Sequence, residues 1–217
     1  MQNLKDKKNI LVSIVIPTLN EEKYIQKSLN NIQNNGFDLS KIEVIIVDGG
    51  SSDKTKVIIE SNRKRLNIKY IEKKGYSVYK ALNIGLEHSI GKYFVRVDAR
   101  SLIPKNYISK CLKHLQNEKI KCAGGLQIQF GENSKSKLIA DITNSFIGTG
   151  GAKFRTAKKS GYVDSVYLGV YPSLFLKNIG GFEDGSKYVS EDSSIIKQKH
   201  NSYSLTEGIS EKVYNKI

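Results

Sequence analysis

An α/β fold built on a mostly parallel central sheet, flanked by helices, is what this sequence predicts, and three observations predict it. Short apolar runs such as Ile42–Val47 and Phe94–Val97 end on turn-forming residues, as buried parallel strands do. Between them lie segments whose apolar residues recur at helical spacing. The two kinds alternate in order along the first part of the chain, which is the pattern of right-handed β–α–β crossovers.

Residues 1–9 are polar and lysine-rich and read as a frayed lead-in, not a signal peptide. Ile10–Ile16 is the first strand, which Pro17 closes. Asn20 suits a helix N-cap, with Glu21 and Glu22 at the positive end of a helix that carries Ile25, Leu29 and Ile32 to about Asn35 and stops at Gly36. Ile42–Val47 is the second strand, ended by Asp48-Gly49-Gly50. Ser51-Ser52-Asp53 opens a second helix with Val57, Ile58 and Ile59, and a short strand follows near Lys69–Ile71. A third helix spans about Val78 to His88, with Ala81, Leu82 and Leu86 inward. The strand from Tyr93 runs into Asp98. A helix near Asn106–Gln116 and a strand near Lys121–Ile128 complete this half. After Gly131 the pattern weakens. Ser134–Phe146 reads as helical, Gly148–Gly161 as a glycine- and lysine-rich loop, Val163–Tyr167 as a strand, and Ser173–Lys177 and Glu191–Lys199 as two more helices.

Composition removes several classes. The chain of 217 residues is long enough to bury a core, and 39% hydrophobic residues fit a globular protein. No apolar run has the length of a membrane span. Cys111 and Cys122 have no metal-ligand spacing and read as inert thiols of a reducing cytoplasm, while His88, His114 and His200 are too scattered for a metal site. The net charge of +14 favours anionic partners, but the lysines are dispersed and no nucleic-acid motif accompanies them. The first strand leads into Pro-Thr-Leu-Asn-Glu, so neither the glycine-rich dinucleotide turn nor a Walker-type phosphate loop is present.

In an open α/β sheet the ligand crevice lies beyond the carboxyl ends of the strands. Four segments deliver polar groups there or continue the pattern: Val12–Glu22, Val47–Thr55, Gly75 with Ala81–Gly85, and Asp98-Ala99-Arg100. Val163–Tyr167, Gly180-Gly181-Phe182 and Glu191-Asp192 follow. In this order they resemble a family 2 glycosyltransferase, whose donor domain has the GT-A fold. The wording around Arg96–Ser101 is most similar to the succinoglycan-type glucosyltransferase branch. The resemblance implies one domain over residues 1–217, with a nucleotide-sugar-binding half at 10–130 and an acceptor-side half at 131–217 that reads as cut short. It implies transfer of a sugar, with inversion, from a nucleotide donor (UDP-linked by expectation) to a glycan or polyprenyl-linked acceptor. The setting it implies is bacterial surface polysaccharide synthesis, in the cytoplasm or at the inner face of the cell membrane.

The same resemblance implies a donor site lined by Pro17, Thr18, Asn20, Glu21, Asp48, Asn83, Asp98 and Arg100. A carboxylate only accepts hydrogen bonds, so Asp48 suits the N3–H of uracil; as an Asp-Gly turn residue it needs no ligand at all. Glu21 either lines the pocket or answers the helix dipole. Asp98 would meet the ribose, or the diphosphate through Mg2+ or Mn2+, cations that want oxygen ligands. Arg100 stands where the family's Asp-x-Asp metal motif places its last acid, and a guanidinium has no lone pair to give. Three outcomes stay open: a metal held by Asp98 and the substrate, Arg100 on the diphosphate, or an impaired site. Asp192, with Glu191 as its partner, is the candidate general base, although Ser190-Glu191-Asp192 also suits a helix start. The basic loop of Lys153, Arg155, Lys158 and Lys159 would meet a lipid diphosphate or an acidic membrane surface, or is simply solvated. Tyr162, Tyr167 and Tyr171 could stack on a sugar or pack at the domain edge. Two rival classes remain: a non-catalytic or decayed nucleotide-sugar-binding protein that needs a partner subunit, and a nucleotidyltransferase, for which the basic glycine-rich opening turn is missing.

Overall fold

One seven-stranded sheet organises the described part of the molecule. The computed structural model describes residues 9–145, 161, 166–184, 194–196 and 204–205. In chain order the elements are β1 (Val12–Thr18), α1 (Ile25–Gln33), β2 (Ile42–Asp48), α2 (Thr55–Ser61), β3 (Ile68–Glu72), α3 (Val78–His88), β4 (Tyr93–Arg96) and α4 (Tyr107–His114). They continue as β5 (Ala123–Gly125), α5 (Ser134–Asn144), β6 (Tyr167–Pro172), α6 (Ser173–Asn178), β7 (Phe182–Asp184), β8 (Ser194–Ile196) and β9 (Ser204–Leu205). The sheet runs β3-β2-β1-β4-β6-β5-β9. Strands β1 to β4 are mutually parallel, β6 is antiparallel to both β4 and β5, and β9 lies parallel to β5.

Both faces of the parallel part are covered, so its strands are apolar on both sides. Successive residues of β1 point to opposite faces. Ile14 and Ile16 pack with Ile25, Leu29 and Ile32 of α1 and Ile108 and Cys111 of α4. Val15 packs the other way, with Ala81, Leu82 and Leu86 of α3 and with Phe94, Tyr171 and Phe182. Here α3 comes close to the sheet: a Cβ on Gly85 would lie 2.3 Å from Val15 Cγ1. Among the described residues no helix is long and apolar enough to cross a membrane.

Several expected boundaries move, each for a physical reason. Pro17 does not close the first strand, because β1 continues through Pro17 and Thr18, paired with Val47 and Asp48. Val97 N–H donates to Val15 O, so the backbone of Val15 faces β4, and by alternation the proline nitrogen does too. The β1–β4 ladder has ended at the Val15–Arg96 pair, so the donor that proline lacks is not missed there. Asn20 is not a helix cap: its φ is +53°, in the left-handed region that asparagine tolerates, and α1 begins only at Ile25. The strand expected over 121–128 shrinks to Ala123–Gly125, with a register irregularity against β6. The strand expected to end at Tyr167 instead begins there and runs to Pro172. The helix expected over Glu191–Lys199 is contradicted at its centre. Ser194–Ile196 pairs antiparallel with β7 as a two-stranded sheet, in keeping with the strand preference of its β-branched Ile195-Ile196.

Candidate functional site

The carboxyl ends of β1, β2 and β4 meet at one edge of the sheet, and the loops that follow them are sewn together. Asn20 N–H donates to Ser51 Oγ (2.8 Å), and Asn20 Oδ1 accepts from Ser52 N–H (2.9 Å). Glu21 N–H donates to Thr55 Oγ1 (2.8 Å), Glu22 N–H to Asp53 Oδ2 (3.1 Å), and Lys54 N–H to Glu22 Oε2 (3.0 Å). The residues that look like helix caps in sequence therefore spend their hydrogen bonds across the gap between two loops. Thr18, buried at the end of β1, turns its hydroxyl back onto Ile16 O (3.2 Å).

Asp48 organises the second loop. It is wholly buried, and its Oδ1 accepts from Gly50 N–H (2.9 Å), Ser51 N–H (2.8 Å) and Ser51 Oγ (2.8 Å). Gly50 sits at φ +97°, the left-handed turn conformation that suits glycine. Asp48 Oδ2 accepts from the Tyr70 hydroxyl on β3 (2.7 Å). Burial first, then this bond, pushes the tyrosine pKa well above its ordinary value, so the phenol stays a donor.

Two ion pairs occupy the β4 end. Arg96 and Asp98, two residues apart at the strand end, pair through Nε and Oδ1 at 3.0 Å, both largely shielded from solvent. Arg100 reaches across to Glu21, its Nε 2.9 Å from both carboxylate oxygens. That hydrogen bond, then the charge of Glu21, holds the guanidinium pKa above its ordinary value. Its Cζ lies 5.2 Å from the centre of the Tyr24 ring, and the side chain is 66% exposed. Arg100 is thus anchored at one edge of its fork by Nε.

Most of the expected donor residues converge here: Pro17, Thr18, Asn20, Glu21, Asp48, Asp98 and Arg100. Asn83 does something else. Its Nδ2 donates to Phe182 O (2.9 Å) and its Oδ1 accepts from Phe182 N–H (2.8 Å), so the amide clamps the start of β7. Glu191, Asp192, the basic loop at Lys153–Lys159 and Tyr162 lie outside the described residues. Tyr167 hydrogen-bonds the Ser101 hydroxyl (2.6 Å), and Tyr171 packs in the core against Phe94 and Phe182. Arg96, Tyr70 and Tyr24 were not foreseen. Arg96 had a signal, since residues two apart on a strand share a face and an arginine inside an apolar strand asks for an acid there. At this edge Asp98 is the carboxylate expected to meet a divalent cation. Among the described residues no three His, Cys, Asp or Glu side chains gather to hold a metal, and Asp98 already pairs with Arg96.

Beside the Asp98–Ser101 turn opens a cleft of about 350 Å³, between Tyr24, Ser28 of α1, residues 99–104, and the segment from Gly125 into α5.

The family model described as Glycosyl transferase family 2 matches residues 13–171. A Methanococcus voltae protein named dolichyl N-acetyl-alpha-D-glucosaminyl phosphate 3-beta-D-2,3-diacetamido-2,3-dideoxy-beta-D-glucuronosyltransferase is 31% identical over 175 residues, which is 76% of this chain and 54% of that protein. The Staphylococcus aureus poly(ribitol-phosphate) beta-N-acetylglucosaminyltransferase TarS is 35% identical over 95 residues, 43% of this chain and 17% of that one. The chain thus spans about half or less of the length of these relatives. Among solved structures, S. aureus TarS in complex with UDP-GlcNAc superposes with a TM-score of 0.64 at 21% identity, covering 91% of this chain and 56% of that one. The Pyrobaculum calidifontis mannosyltransferase PcManGT in complex with GDP-Man and Mn2+ gives 0.61 at 20% identity, covering 79% and 47%. At such identities the likeness shows the fold, which is the GT-A arrangement of the sequence expectation.

Proposed function

We propose that this chain, which belongs to glycosyl transferase family 2, holds a nucleoside diphosphate sugar at the carboxyl edge of β1, β2 and β4 and passes the sugar to a hydroxyl group of a glycan or lipid-linked acceptor. The donor we assign is UDP-linked, supported by the TarS neighbour solved with UDP-GlcNAc. The sewn loops at 18–22 and 48–55 form the nucleoside side, with Asp48 shaping the turn beneath the base. The product has inverted configuration in this reading. The acceptor oxygen bonds to the anomeric carbon, the bond to the diphosphate breaks with its electron pair leaving on phosphate, and the acceptor proton passes to Asp192, with Glu191 beside it. These last two roles rest on motif order alone. The succinoglycan-type branch, a setting in bacterial surface polysaccharide synthesis and a peripheral position at the inner membrane face belong to the same reading.

The observation that carries the proposal is the anchored Arg100. Fixed by Glu21 through Nε, it presents its remaining N–H donors in a planar fork that matches phosphate oxygens. Arg100 therefore serves the leaving diphosphate in the place where family 2 enzymes commonly rely on a divalent cation, and no step here is routed through a metal. The same residue favours a second reading, a nucleotide-sugar-binding protein without transfer activity, because the acid of the family's motif is gone. Hydrolysis of UDP-sugar to free sugar and UDP separates the two, since the binding protein yields none. Calorimetric titration with UDP, GDP and dTDP, with and without Mn2+, tests the site. UDP should bind equally with or without Mn2+. Arg100→Ala should weaken it at least tenfold, since a hydrogen bond to a charged group is worth about 1.5–3 kcal/mol. Binding that needs Mn2+ would remove Arg100 from this role, and binding of none of the three nucleotides would remove the donor site.

A further inference from the structure

Helix α5 is built inside out. A surface helix ordinarily turns its apolar stripe to the core and its charged face to water. Here the side laid against the molecule carries the half-buried Ser136 and Thr143, with Ala140 the one buried residue. Leu138, Ile139 and Ile142 point outward, 61%, 56% and 59% exposed. They make one patch, since Leu138 and Ile142 stand four residues apart on the helix and Ile139 and Ile142 three. The helix itself is firmly made. Asn133 and Ser136 form a capping box at its start (2.9 and 3.0 Å). At its end both amide atoms of Asn144 hold the Gln129 backbone (2.9 and 2.6 Å). The outward turn of the three large side chains is therefore fixed at both ends, and a contiguous apolar patch of this kind marks an interaction surface.

Charge and area select the occupant. Lys135 lies one turn from both Leu138 and Ile139, so its stem follows the patch while its ammonium reaches past it. Lys137 stands on the other flank with Asp141, the one acid of the helix. From Leu126 to Ser160 the sequence has six Lys or Arg against two acids, in a chain of net charge +14. A second copy fits poorly. Three side chains on a helix of 11 residues fall short of the roughly 800 Å² that each partner of a stable interface buries, and a twofold pairing would set lysines against lysines. An anionic lipid surface fits on both counts, because acyl chains receive the apolar patch and headgroups the cations. We propose that α5 seats this chain on an anionic membrane, with Leu138, Ile139 and Ile142 entering the headgroup boundary and Lys135 and Lys137 beside the phosphates. The start of α5 lines the cleft beside the Asp98–Ser101 turn, so a protein seated in this way holds its donor edge close to the bilayer and to a lipid-linked acceptor. That last link rests on the transferase reading; the apolar face of α5 does not.

The chain has no tryptophan, so a single one placed on α5 is a clean probe. Ile142→Trp in the full chain should shift its emission to the blue when vesicles of phosphatidylcholine and phosphatidylglycerol are added, and lipids brominated on the acyl chains should quench it. Leu174→Trp should do neither: that position is 70% exposed on α6, which packs with α3 on the opposite face of the sheet. In flotation with the same vesicles, Leu138→Gln combined with Ile142→Gln should lower partitioning at least about tenfold, a modest share of what burying two such side chains is worth. High salt should weaken binding of the parent, and so should pure phosphatidylcholine. Both substituted positions are exposed, so the double variant should keep the Tm and the UDP affinity of the parent. A parent that binds UDP but not these vesicles would overturn the inference and leave the donor site standing. Vesicle binding unchanged in the double variant, unshifted emission from Ile142→Trp, or equal binding to pure phosphatidylcholine would overturn it too. A parent dimer that the double variant turns into a monomer would assign the face to a second copy instead. Vesicle binding without UDP binding would support the role of α5 and remove the donor site.

Discussion

Replacing Asp48 separates the work it does for the fold from the work proposed for it in binding. In Asp48→Ala four donors lose their acceptor: Gly50 N–H, Ser51 N–H, Ser51 Oγ and the Tyr70 hydroxyl, at 2.7 to 2.9 Å. Gly50 and Ser51 are only partly buried, so water reaches part of that set once the carboxylate is gone. Counting two donors left unsatisfied at about 1–3 kcal/mol each gives a loss of roughly 4 kcal/mol. For a domain of this size that is a fall in Tm on the order of 8–16 °C. Asp48→Asn keeps one acceptor oxygen for the loop and turns an amide towards Tyr70, whose hydroxyl can rotate to accept. It should cost only about 1–2 kcal/mol. Urea denaturation at pH 7, with UDP calorimetry on the same samples, reads both effects. Asp48→Asn should lose UDP affinity out of proportion to its small loss of stability if a ligand donor also meets this carboxylate. If Asp48→Ala unfolds within 1 kcal/mol of the parent, the view of Asp48 as the organiser of the loop is wrong.

Gly85→Ala pits two effects against each other, a gain of about 1 kcal/mol in helix propensity and an overpacking cost of about 1–3 kcal/mol where the new Cβ would meet Val15 Cγ1 at 2.3 Å. The close approach should win, and a raised urea midpoint would refute it. Burial pushes the Cys122 thiol up to about 12, and burial together with the neighbouring Cys122 pushes Cys111 higher still. Neither should react with Ellman's reagent in the native protein at pH 8, and both should react in 6 M urea; rapid native labelling would contradict the packing. For Asp53, desolvation works to raise the pKa, but hydrogen bonds from Thr55 and Glu22 outweigh it and hold the carboxyl below its ordinary 3.8. The folded state thus binds this proton less readily than the unfolded one. The stabilisation is complete above 3.8 and is lost as pH falls through the lower folded value. Asp53→Asn should flatten the acid limb of a stability curve measured by urea midpoints from pH 7 to pH 3, and an unchanged limb would sink the assignment.

Where sequence and structure agree, local rules and tertiary demands coincide. Ile42–Asp48 is buried at every position, so its apolar run could only be an interior strand. Val78–His88 has an inward face of Ala81, Leu82 and Leu86 that matches the helical period. Where they part, a partner distant in sequence decides. Asn20 and Glu22 carry every local mark of a helix start, but the donors and acceptors they meet belong to Ser51–Lys54, some thirty residues on. Ile195-Ile196 lies in a stretch that could open a helix after Ser190-Glu191-Asp192, yet β7 presents an edge to it, and pairing overrides weak propensity. Asp48 was legible as the turn residue that ends β2, but its bond to Tyr70 depends on the β2–β3 register, which no local pattern encodes.

Arg100 was the anomaly in the sequence, and the structure gives it a physical context in Glu21, 79 residues away. Its Nε comes within hydrogen-bond distance of a carboxylate whose side chain is only 13% exposed. An acid placed there would add a second negative charge near Glu21, which like-charge repulsion disfavours unless a cation sits between them. An arginine reverses the balance. It answers Glu21 directly through Nε, stays charged at every physiological pH, and still has donors left for a second anion. The substitution that looks like the loss of a metal ligand is therefore equally the gain of a fixed cation, and the Glu21 contact is the reason that cation has a defined position.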